Sequence, residues 1–377
     1  MGMRPTNNIS RRDWFQATLA GMTAAQLAAG AQVSSKSDSS KLAMPGLYRG
    51  RVVAVHNPAT IVSGRFGGEA IHQTIYKGMT QLTGAPDLRS AWSQFVEPGD
   101  VVGIKVNPVG MPHVISCAEV LREIVYGLKS AGVKANDIVV YDRYRRQFVK
   151  AGFDKWLPDG VRWMAACEDY DEIQHAIEGY DPDHYLDMAL TRPGYDISNV
   201  TARRSYAARF ITKEVNKLIN LAVLKDHQSA GVTLALKNLS HGLVNNVSRS
   251  HSTTTSNACG VFIPAVVALP VIRNKAILHV MDGIKGLYHG GPGSRPQFVW
   301  EHKTMYFATD PVALDRVCWK VIDEKRVQAG MKPVAESRPD GKNDTFLSRQ
   351  PEHIELAGAL GLGEYNEAKI DLRKIQL

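Results

Sequence analysis

Short apolar runs alternate with helix-like segments along this chain of 377 residues, and the alternation limits the folds that the chain can adopt. Apolar runs of strand length occur at residues 51–56, 100–107 and 137–142. Between them, residues 69–82 and the stretch from Ser116 to the stop at Gly132 have apolar side chains at helical spacing. Strands that are separated by helices pair in parallel. The pattern therefore predicts an α/β fold with a mostly parallel sheet and helices on both faces.

The alternation is interrupted once and then resumes. Residues 166–210 contain an acidic stretch that fits neither pattern, which predicts an inserted segment or a lid. Further strand-like runs follow at residues 218–224, 276–281 and 304–308. Asp310-Pro311 predicts a helix start, because Asp can accept hydrogen bonds from free helix amides and Pro at the first position loses none. The tail, residues 369–377, predicts an edge strand.

The N-terminus has the zones of a twin-arginine signal peptide. Arg11 and Arg12 precede a weakly apolar stretch that ends in small residues at Ala29 and Ala31. An amphipathic first helix that carries Arg-Arg is the alternative. The signal predicts export of the folded protein through the Tat translocase, with the mature chain in the periplasm or another extracytoplasmic space. No other stretch approaches the roughly 18 consecutive apolar residues of a membrane span.

Composition narrows the classes of partner and cofactor. The formal net charge is +8, but the Lys and Arg residues are scattered and form no basic run interleaved with aromatic residues. No nucleic-acid partner is therefore predicted, and the excess charge favours a small anionic ligand. The four Cys residues form no Cys-x-x-Cys pair, so neither an iron–sulfur cluster nor a structural zinc site is expected. Cys117 and Cys318 lie in apolar helical patterns, which predicts buried free thiols.

The densest group of ionisable residues lies in one of the most apolar stretches, residues 220–251. Lys225 and His227 directly follow the strand-like run 218–224, and ligands of open α/β sheets bind beyond the carboxyl ends of strands. If residues 229–243 are helical, Thr233, Lys237 and His241 share one face of a helix that is otherwise apolar.

A buried Lys requires a partner, so that polar face predicts a cavity or an internal ligand. The alternative is that Lys237 extends to solvent and His241 bonds to a local carbonyl. Two further strands end in polar groups, Lys105 with Asn107 and then Asp142. Each alone is typical of an ordinary polar strand end, but together they add to the predicted site at the sheet edge.

A glycine-rich loop at residues 282–296 has His289 at its tip. Gly290 and Gly291 can bring backbone amides close to an anion, although the loop matches no known phosphate-binding pattern, and a plain flexible loop is the alternative. A metal would have to use dispersed ligands, with His227 first and Asp282 second. The wider pool of metal ligands is His241, His251, His289 and Asp142.

These segments resemble the family called domain of unknown function 362, many members of which carry a twin-arginine leader. The shared motifs are Leu224-Lys225-Asp226-His227, Thr233 to Asn238, Met281-Asp282-Gly283-Ile284, Gly290-Gly291-Pro292-Gly293 and Asp310 to Asp315. The resemblance covers roughly residues 50–330. The chain departs from the family in having Asp226 between Lys and His, and Ser240-His241 where Gly is common. It also lacks the ferredoxin-like Cys cluster of some relatives, so a redox role does not follow by analogy.

The chain is accordingly expected to contain a signal peptide, a flexible lead-in, the α/β domain of the family and a C-terminal extension packed on that domain, at residues 1–31, 32–50, 51–330 and 331–377.

Together these features predict an exported enzyme that acts on a small carboxylate or phosphate, with or without a divalent metal. In this interpretation Lys105, Lys225 and Lys237 hold the anion, and His227 or His241 transfers a proton near neutral pH. The rest of the predicted substrate site is Asn107, Asn238, Arg249, Gly290 and Gly291. Two alternatives remain open: a non-catalytic extracytoplasmic anion-binding protein, and an accessory protein that docks a redox enzyme.

Overall fold

The computed structural model describes residues 40–347, 349 and 351–377. The predicted signal peptide, residues 1–31, lies outside these described residues. The strands are β1 (Arg51–His56), β2 (Ile61–Val62), β3 (Arg65–Phe66), β4 (Val102–Lys105), β5 (Ile138–Tyr141), β6 (Arg162–Met164), β7 (Tyr180–Asp187), β8 (Arg204–Ala208), β9 (Lys217–His227), β10 (Gly231–Val232), β11 (Ala276–Leu287), β12 (Val299–Ala308) and β13 (Asp371–Gln376).

The helices are α1 (Gly68–Thr83), α2 (Leu88–Trp92), α3 (Ala118–Ser130), α4 (Arg145–Ala151), α5 (Phe153–Trp156), α6 (Val200–Arg203), α7 (Leu234–Leu243), α8 (Cys259–Val267), α9 (Pro270–Arg273), α10 (Pro311–Gln328) and α11 (Glu352–Ala359). Among the described residues, no helix combines the length and the apolar character that crossing a bilayer requires.

The main sheet has the strand order β13-β1-β12-β11-β9-β4-β5-β6, and β10 pairs with the end of β9. Along this order the neighbours are parallel, except that β12 runs antiparallel to both β1 and β11. The predicted mostly parallel α/β sheet is confirmed, and so is the edge strand in the tail, which is β13.

Alternate side chains of the central strands pack into two cores, one on each face of the sheet. In β1, Val53 and Val55 belong to the core that holds α1, α2 and α3, whereas Val52 and Ala54 belong to the core that holds α7, α8, α10 and α11. Because the inner strands are apolar on both sides, helices cover both faces, as the uninterrupted apolar runs predicted.

The region around β9 differs from its prediction. Lys225 and His227 lie within β9 rather than after it, because Gly231 and Val232 turn back and pair with His227 and Asp226. The following helix, α7, consequently begins at Leu234 instead of Ser229. A two-residue strand has no periodicity that a sequence pattern could reveal.

Residues 166–210 form the predicted insertion. Here β7 and β8 pair in an antiparallel sheet of their own, separate from the main sheet. The C-terminal residues pack on the rest of the fold: α11 contacts α8, and Arg349 forms an ion pair with Asp226 at 3.1 Å. Cys117 and Cys318 are buried, as predicted, and all four cysteines are free thiols.

Candidate functional site

A cavity of about 390 Å³, lined by many charged and polar side chains, opens where β4, β5 and β9 end. Five Lys or Arg side chains but only two carboxylates line it, so the cavity is cationic: Lys105, Arg143, Arg192, Lys225 and Lys237 against Asp142 and Glu172. The insertion forms the opposite wall of the cavity with Tyr170, Glu172, Gln174 and Arg192. The structure thus brings the strand-end residues together beneath the inserted segment.

All three ammonium donors of Lys105 are used inside the protein. Its Nζ donates to the Asp142 carboxylate at 2.6 Å, to the carbonyl of Val106 at 2.5 Å and to Oδ1 of Asn238 at 3.2 Å. Because an ammonium has three donors, Lys105 has none left for a ligand. Gly242 permits this arrangement, since a Cβ there would lie 2.0 Å from Cε of Lys105.

The side-chain amides of Asn107 and Asn238 are committed to the same network. Oδ1 of Asn107 accepts from Lys225 at 2.8 Å, and its Nδ2 donates to Oδ1 of Asn238 at 3.0 Å. Nδ2 of Asn238 donates to Oδ1 of Asn220 at 2.7 Å. Both amides line the cavity, but their hydrogen bonds position the two lysines.

Lys225 has one donor left for a ligand. Its ammonium donates to Oδ1 of Asn107 and to the carbonyl of Val109, which uses two of its three N–H groups. Burial and repulsion from Lys105 lower the pKa of Lys225 to about 7. At neutral pH the cavity therefore holds this group close to the point at which it loses its charge.

Lys237 is the exception among the lysines of the cavity. Only 4% of the residue is exposed, yet within the described part of the chain its ammonium has neither a hydrogen bond nor an ion pair. Burial lowers the pKa of Lys237 to about 8, and the Arg143 guanidinium adds to the shift. An ammonium that is withdrawn from water without a partner costs roughly several kcal/mol of desolvation, so a negative partner would stabilise Lys237.

Backbone hydrogen bonds determine which nitrogen of the His227 ring carries the proton. Its Nδ1 accepts from the amides of Ser229 at 3.1 Å and Ala230 at 3.3 Å, so in the neutral ring the proton is on Nε2. Burial, followed by repulsion from Lys237, holds the pKa of His227 well below its usual value. The neutral ring therefore offers an Nε2–H donor to the cavity. A histidine that binds a metal through Nε2 carries its proton on Nδ1 instead, which is the opposite tautomer.

His241 and His251 meet at the hydroxyl of Ser250. Nε2 of His241 lies 3.1 Å and Nδ1 of His251 lies 3.2 Å from its Oγ, which donates its own proton to the carbonyl of Val247 at 2.7 Å. Burial lowers the pKa of His251 to about 3 and holds the pKa of His241 well below its usual value. Both rings line the cavity in neutral form.

The remaining predicted site residues do not line the cavity. Arg249 donates to the carbonyls of Met188 and Leu190, and so fixes the insertion. Asp282 accepts from the amides of Cys117 at 2.7 Å and Ile284 at 3.2 Å, and burial raises its pKa to about 6. The amide of Gly291 donates to the Asp226 carboxylate at 2.7 Å.

The glycine-rich loop packs against β9 instead of presenting its amides to the cavity. A Cβ on Gly291 would lie 2.2 Å from the carbonyl oxygen of Asp226, and the adjacent Gly290 has φ of +76°. His289 is paired with Asp340 at 2.9 Å. Pro292 is the residue of this loop that reaches the cavity wall.

Comparison with known proteins assigns the chain to a protein family. The family model described as domain of unknown function (DUF362) matches residues 102–320, which is more than half of the chain. The chain belongs to the DUF362 family. No curated protein matches it in a sequence comparison.

One solved structure that resembles the DUF362 chain is the crystal structure of a protein from Thermotoga maritima, at 11% sequence identity and a TM-score of 0.38. The match covers 73% of this chain and 61% of that protein, so the chain spans less than two thirds of its length.

Two aspartates of the DUF362 domain act as helix caps at separate helices. Asp310 accepts from the amides of Val312 and Ala313 and begins its own helix, α10, as its sequence predicted. Asp315, one turn later, accepts from the amides of Ala235 at 2.8 Å and Leu236 at 2.9 Å in the first turn of α7. It therefore fixes the helix that carries Lys237.

Replacing Asp315 with Ala should destabilise the protein by about 1–3 kcal/mol for each of the two buried amides that lose their acceptor. Asp315→Asn retains one acceptor oxygen and should lose less. Urea unfolding of the three proteins measures the difference. A free energy of unfolding for Asp315→Ala within about 0.5 kcal/mol of wild type would show that Asp315 does not support α7.

Sequence reasoning missed several residues of the site. Cys259 lies behind the His pair, and the insertion contributes Glu172 and Arg192, but none of these has a local pattern that marks it. His251, by contrast, was in the pool of metal ligands that the sequence predicted.

Proposed function

We propose that this DUF362 protein binds a small carboxylate or phosphate in the cationic cavity and acts on it as an enzyme. The observation that carries the proposal is the ammonium of Lys237, which has no hydrogen bond or ion pair to any described residue although only 4% of Lys237 is exposed. A charge in that position is stabilised by a negative ligand, since the cavity supplies no carboxylate to it.

The free donors of the cavity define how the anion would be held. Lys237 contributes three N–H groups, Lys225 contributes one and His227 contributes its Nε2–H. Hydrogen bonds to charged groups are the strong ones, and a phosphate has enough lone pairs to accept all five, whereas a carboxylate accepts about four. Lys105, Asn107 and Asn238 act as positioning residues in this proposal, because their own bonds fix Lys225.

Acid–base chemistry would come from the amine groups. A pKa of about 7 for Lys225 and about 8 for Lys237 lies in the range in which a lysine both gives and takes a proton near neutral pH. His227 would polarise the substrate as a neutral donor. The sequence predicted that His227 or His241 transfers the proton. In this proposal the lysines transfer it instead, and His227 only donates a hydrogen bond.

Titration of the protein with sulfate, phosphate and small carboxylates tests the binding step. One of these anions should stabilise the protein in a saturable way, by about 2.7 kcal/mol at a hundredfold excess over its dissociation constant. Chloride at equal ionic strength is the control for general salt effects. If no anion exceeds chloride, the cavity does not bind an anion and the proposal is wrong.

The affinity for sulfate should fall as the pH rises through the range set by the two lysines. Each lysine binds an anion in its protonated form. The pKa values are about 7 for Lys225 and about 8 for Lys237, so the lysines lose their charge as the pH rises through these values. With an anion bound, the loss occurs at a slightly higher pH, because the anion favours the protonated lysine. Calorimetric titration from about pH 6 to about pH 9 should show a loss of up to tenfold per pH unit for each proton. Sulfate remains a dianion throughout, so an affinity that is constant over this range would contradict the assignment.

A non-catalytic anion-binding protein is the second candidate. It is favoured by the low pKa values of His241 and His251, which make both rings weak bases. Incubation with a panel of small carboxylates in deuterated water separates the two candidates. Incorporation of deuterium at carbon, lost in Lys225→Met, supports an enzyme, whereas binding without exchange or other turnover supports the binder.

We also propose export by the twin-arginine route, on the order of charged, apolar and small residues in the first 31 positions. Replacing Arg11 and Arg12 together with Lys should leave the precursor unprocessed in the cytoplasm. Cell fractionation with a processed Tat-independent exported protein as the control measures this outcome. Normal processing of the double variant outside the cytoplasm would contradict the route.

A further inference from the structure

We propose that His241, His251 and Cys259 bind a divalent transition-metal ion at the wall of the anion cavity. One ring nitrogen of each histidine and Sγ of the cysteine lie within 4.8 Å of one another. In the described part of the chain this is the group of His, Cys, Asp and Glu that meets that distance. His241 and His251 were in the predicted pool of metal ligands and Cys259 was not, whereas His227 and Asp282, the two ligands named first, do not belong to the group.

The distances require little movement for a metal to bind. Bonds of about 2.0–2.1 Å to nitrogen and about 2.3 Å to sulfur place the ligand atoms of a tetrahedral ion roughly 3.5 Å apart. The three ligand atoms lie within 4.8 Å of one another, so side-chain rotations that move them by about an ångström bring them to that spacing. The three residues lie on packed elements: His241 on α7, His251 after the turn Ser248–Ser250, and Cys259 at the start of α8, which contacts α7.

Ser250 supplies the kind of support that metal-binding histidines usually have. Since its own proton goes to the carbonyl of Val247, its Oγ accepts from an N–H of His241 and an N–H of His251. Nε2 of His251 then keeps its lone pair, whereas the lone pair on Nδ1 of His241 faces the hydroxyl of Ser240 at 2.9 Å, a neutral contact that a metal would displace. Hydrogen bonds of this type orient ligating histidines and fix their tautomers.

The donor set selects the class of metal. Two imidazoles and a thiolate suit zinc, copper, cobalt or nickel, whereas magnesium and calcium prefer oxygen ligands. The thiolate also offsets the charge of the ion in a cavity that is already cationic, because a coordinating thiol loses its proton. Cys259 is buried next to Ser229 and Ser250, so its metal-free thiol makes only weak contacts at 3.6 to 3.8 Å.

The centre has the ligand number of a catalytic site. Three protein ligands leave one position of a tetrahedral ion open, and His241 and His251 both line the cavity while Cys259 does not. The open position therefore faces the cavity. We assign that open position to the anionic substrate, which would lie between the metal and Lys237. This assignment rests on the proposed function.

Cobalt titration tests the metal site without any substrate. The purified chain, stripped with a chelator and then freed of it, should bind cobalt stoichiometrically and develop the near-ultraviolet charge-transfer absorption that a thiolate ligand produces. Cys259→Ser should lose this absorption, and Cys318→Ser, which removes another fully buried thiol outside the group, should retain it. His251→Gln should weaken binding by more than the roughly 10–100-fold that loss of an outer partner costs.

The outcomes separate this inference from the proposed function. If the protein binds no cobalt, or binds it without thiolate absorption, the metal site is wrong even where sulfate still binds. If cobalt binds as expected but no anion stabilises the metal-free protein, the anion cavity is wrong and the metal site stands. Should Cys259→Ser fail to fold, the presence or absence of the absorption in wild type still decides whether a thiolate is a ligand.

Discussion

Lys237→Met should abolish most of the stabilisation that anions give, while the protein remains folded. Loss of a charge-assisted hydrogen bond costs about 1.5–3 kcal/mol, which corresponds to roughly tenfold to more than a hundredfold in affinity. Methionine retains much of the side-chain volume and removes the unpaired charge. Without a ligand, the variant should therefore melt at a higher temperature than wild type, because the buried ammonium no longer has to be desolvated.

The matched control is Lys320→Met, which removes a lysine whose side chain is 56% exposed on α10. It should respond to every anion as wild type does. Thermal unfolding with and without sulfate, phosphate or a small carboxylate gives the comparison. If Lys237→Met and wild type respond identically, Lys237 does not contact the anion.

Arg349→Met should destabilise the protein by about 3–5 kcal/mol, the cost of leaving a buried charge without its partner. Arg349 pairs with Asp226 at 3.1 Å and with Asp344 at 2.7 Å, and all three side chains are almost fully buried. Asp226 stands between Lys225 and His227 on β9, so loss of the pair should also weaken anion binding.

Arg373→Met is the control for this prediction, since Arg373 pairs with Asp371 at 3.0 Å in an exposed position. An exposed ion pair contributes about 0–1 kcal/mol. Adding Asp226→Asn to Arg349→Met should restore part of the lost stability by removing the uncompensated charge. Urea unfolding that shows no larger loss for Arg349→Met than for Arg373→Met would contradict the buried pair.

The fold was predictable because its signals are local. The run at residues 51–56 becomes β1 over the same residues, and Asp310 begins α10, since apolar alternation and helix capping act over a few positions. The site was predictable in part for the same reason. Lys237 and His241 are one helical turn apart, so their shared face follows from the geometry of α7.

The rest of the site depends on contacts between distant segments. Arg349 lies 123 residues from Asp226. Two of the partners that occupy Lys105 are Asp142, directly after β5, and Asn238 on α7. The sequence did not show on which face of β11 Asp282 lies, because β11 is buried on both faces and its apolar residues do not distinguish one face from the other. Cys259 reaches the His pair because α8 packs on α7, and its own sequence surroundings are simply apolar.

The most direct test of the anion cavity is a crystal structure of the protein soaked with selenate, a heavier analogue of sulfate that can be located by its anomalous scattering. The account predicts an anomalous peak within hydrogen-bond distance of Nζ of Lys237, with Lys225 and Nε2 of His227 as further contacts, at a concentration set by the affinity in solution. Selenate bound only at exposed cations such as Arg145 and Arg146, with the cavity unoccupied, would contradict it.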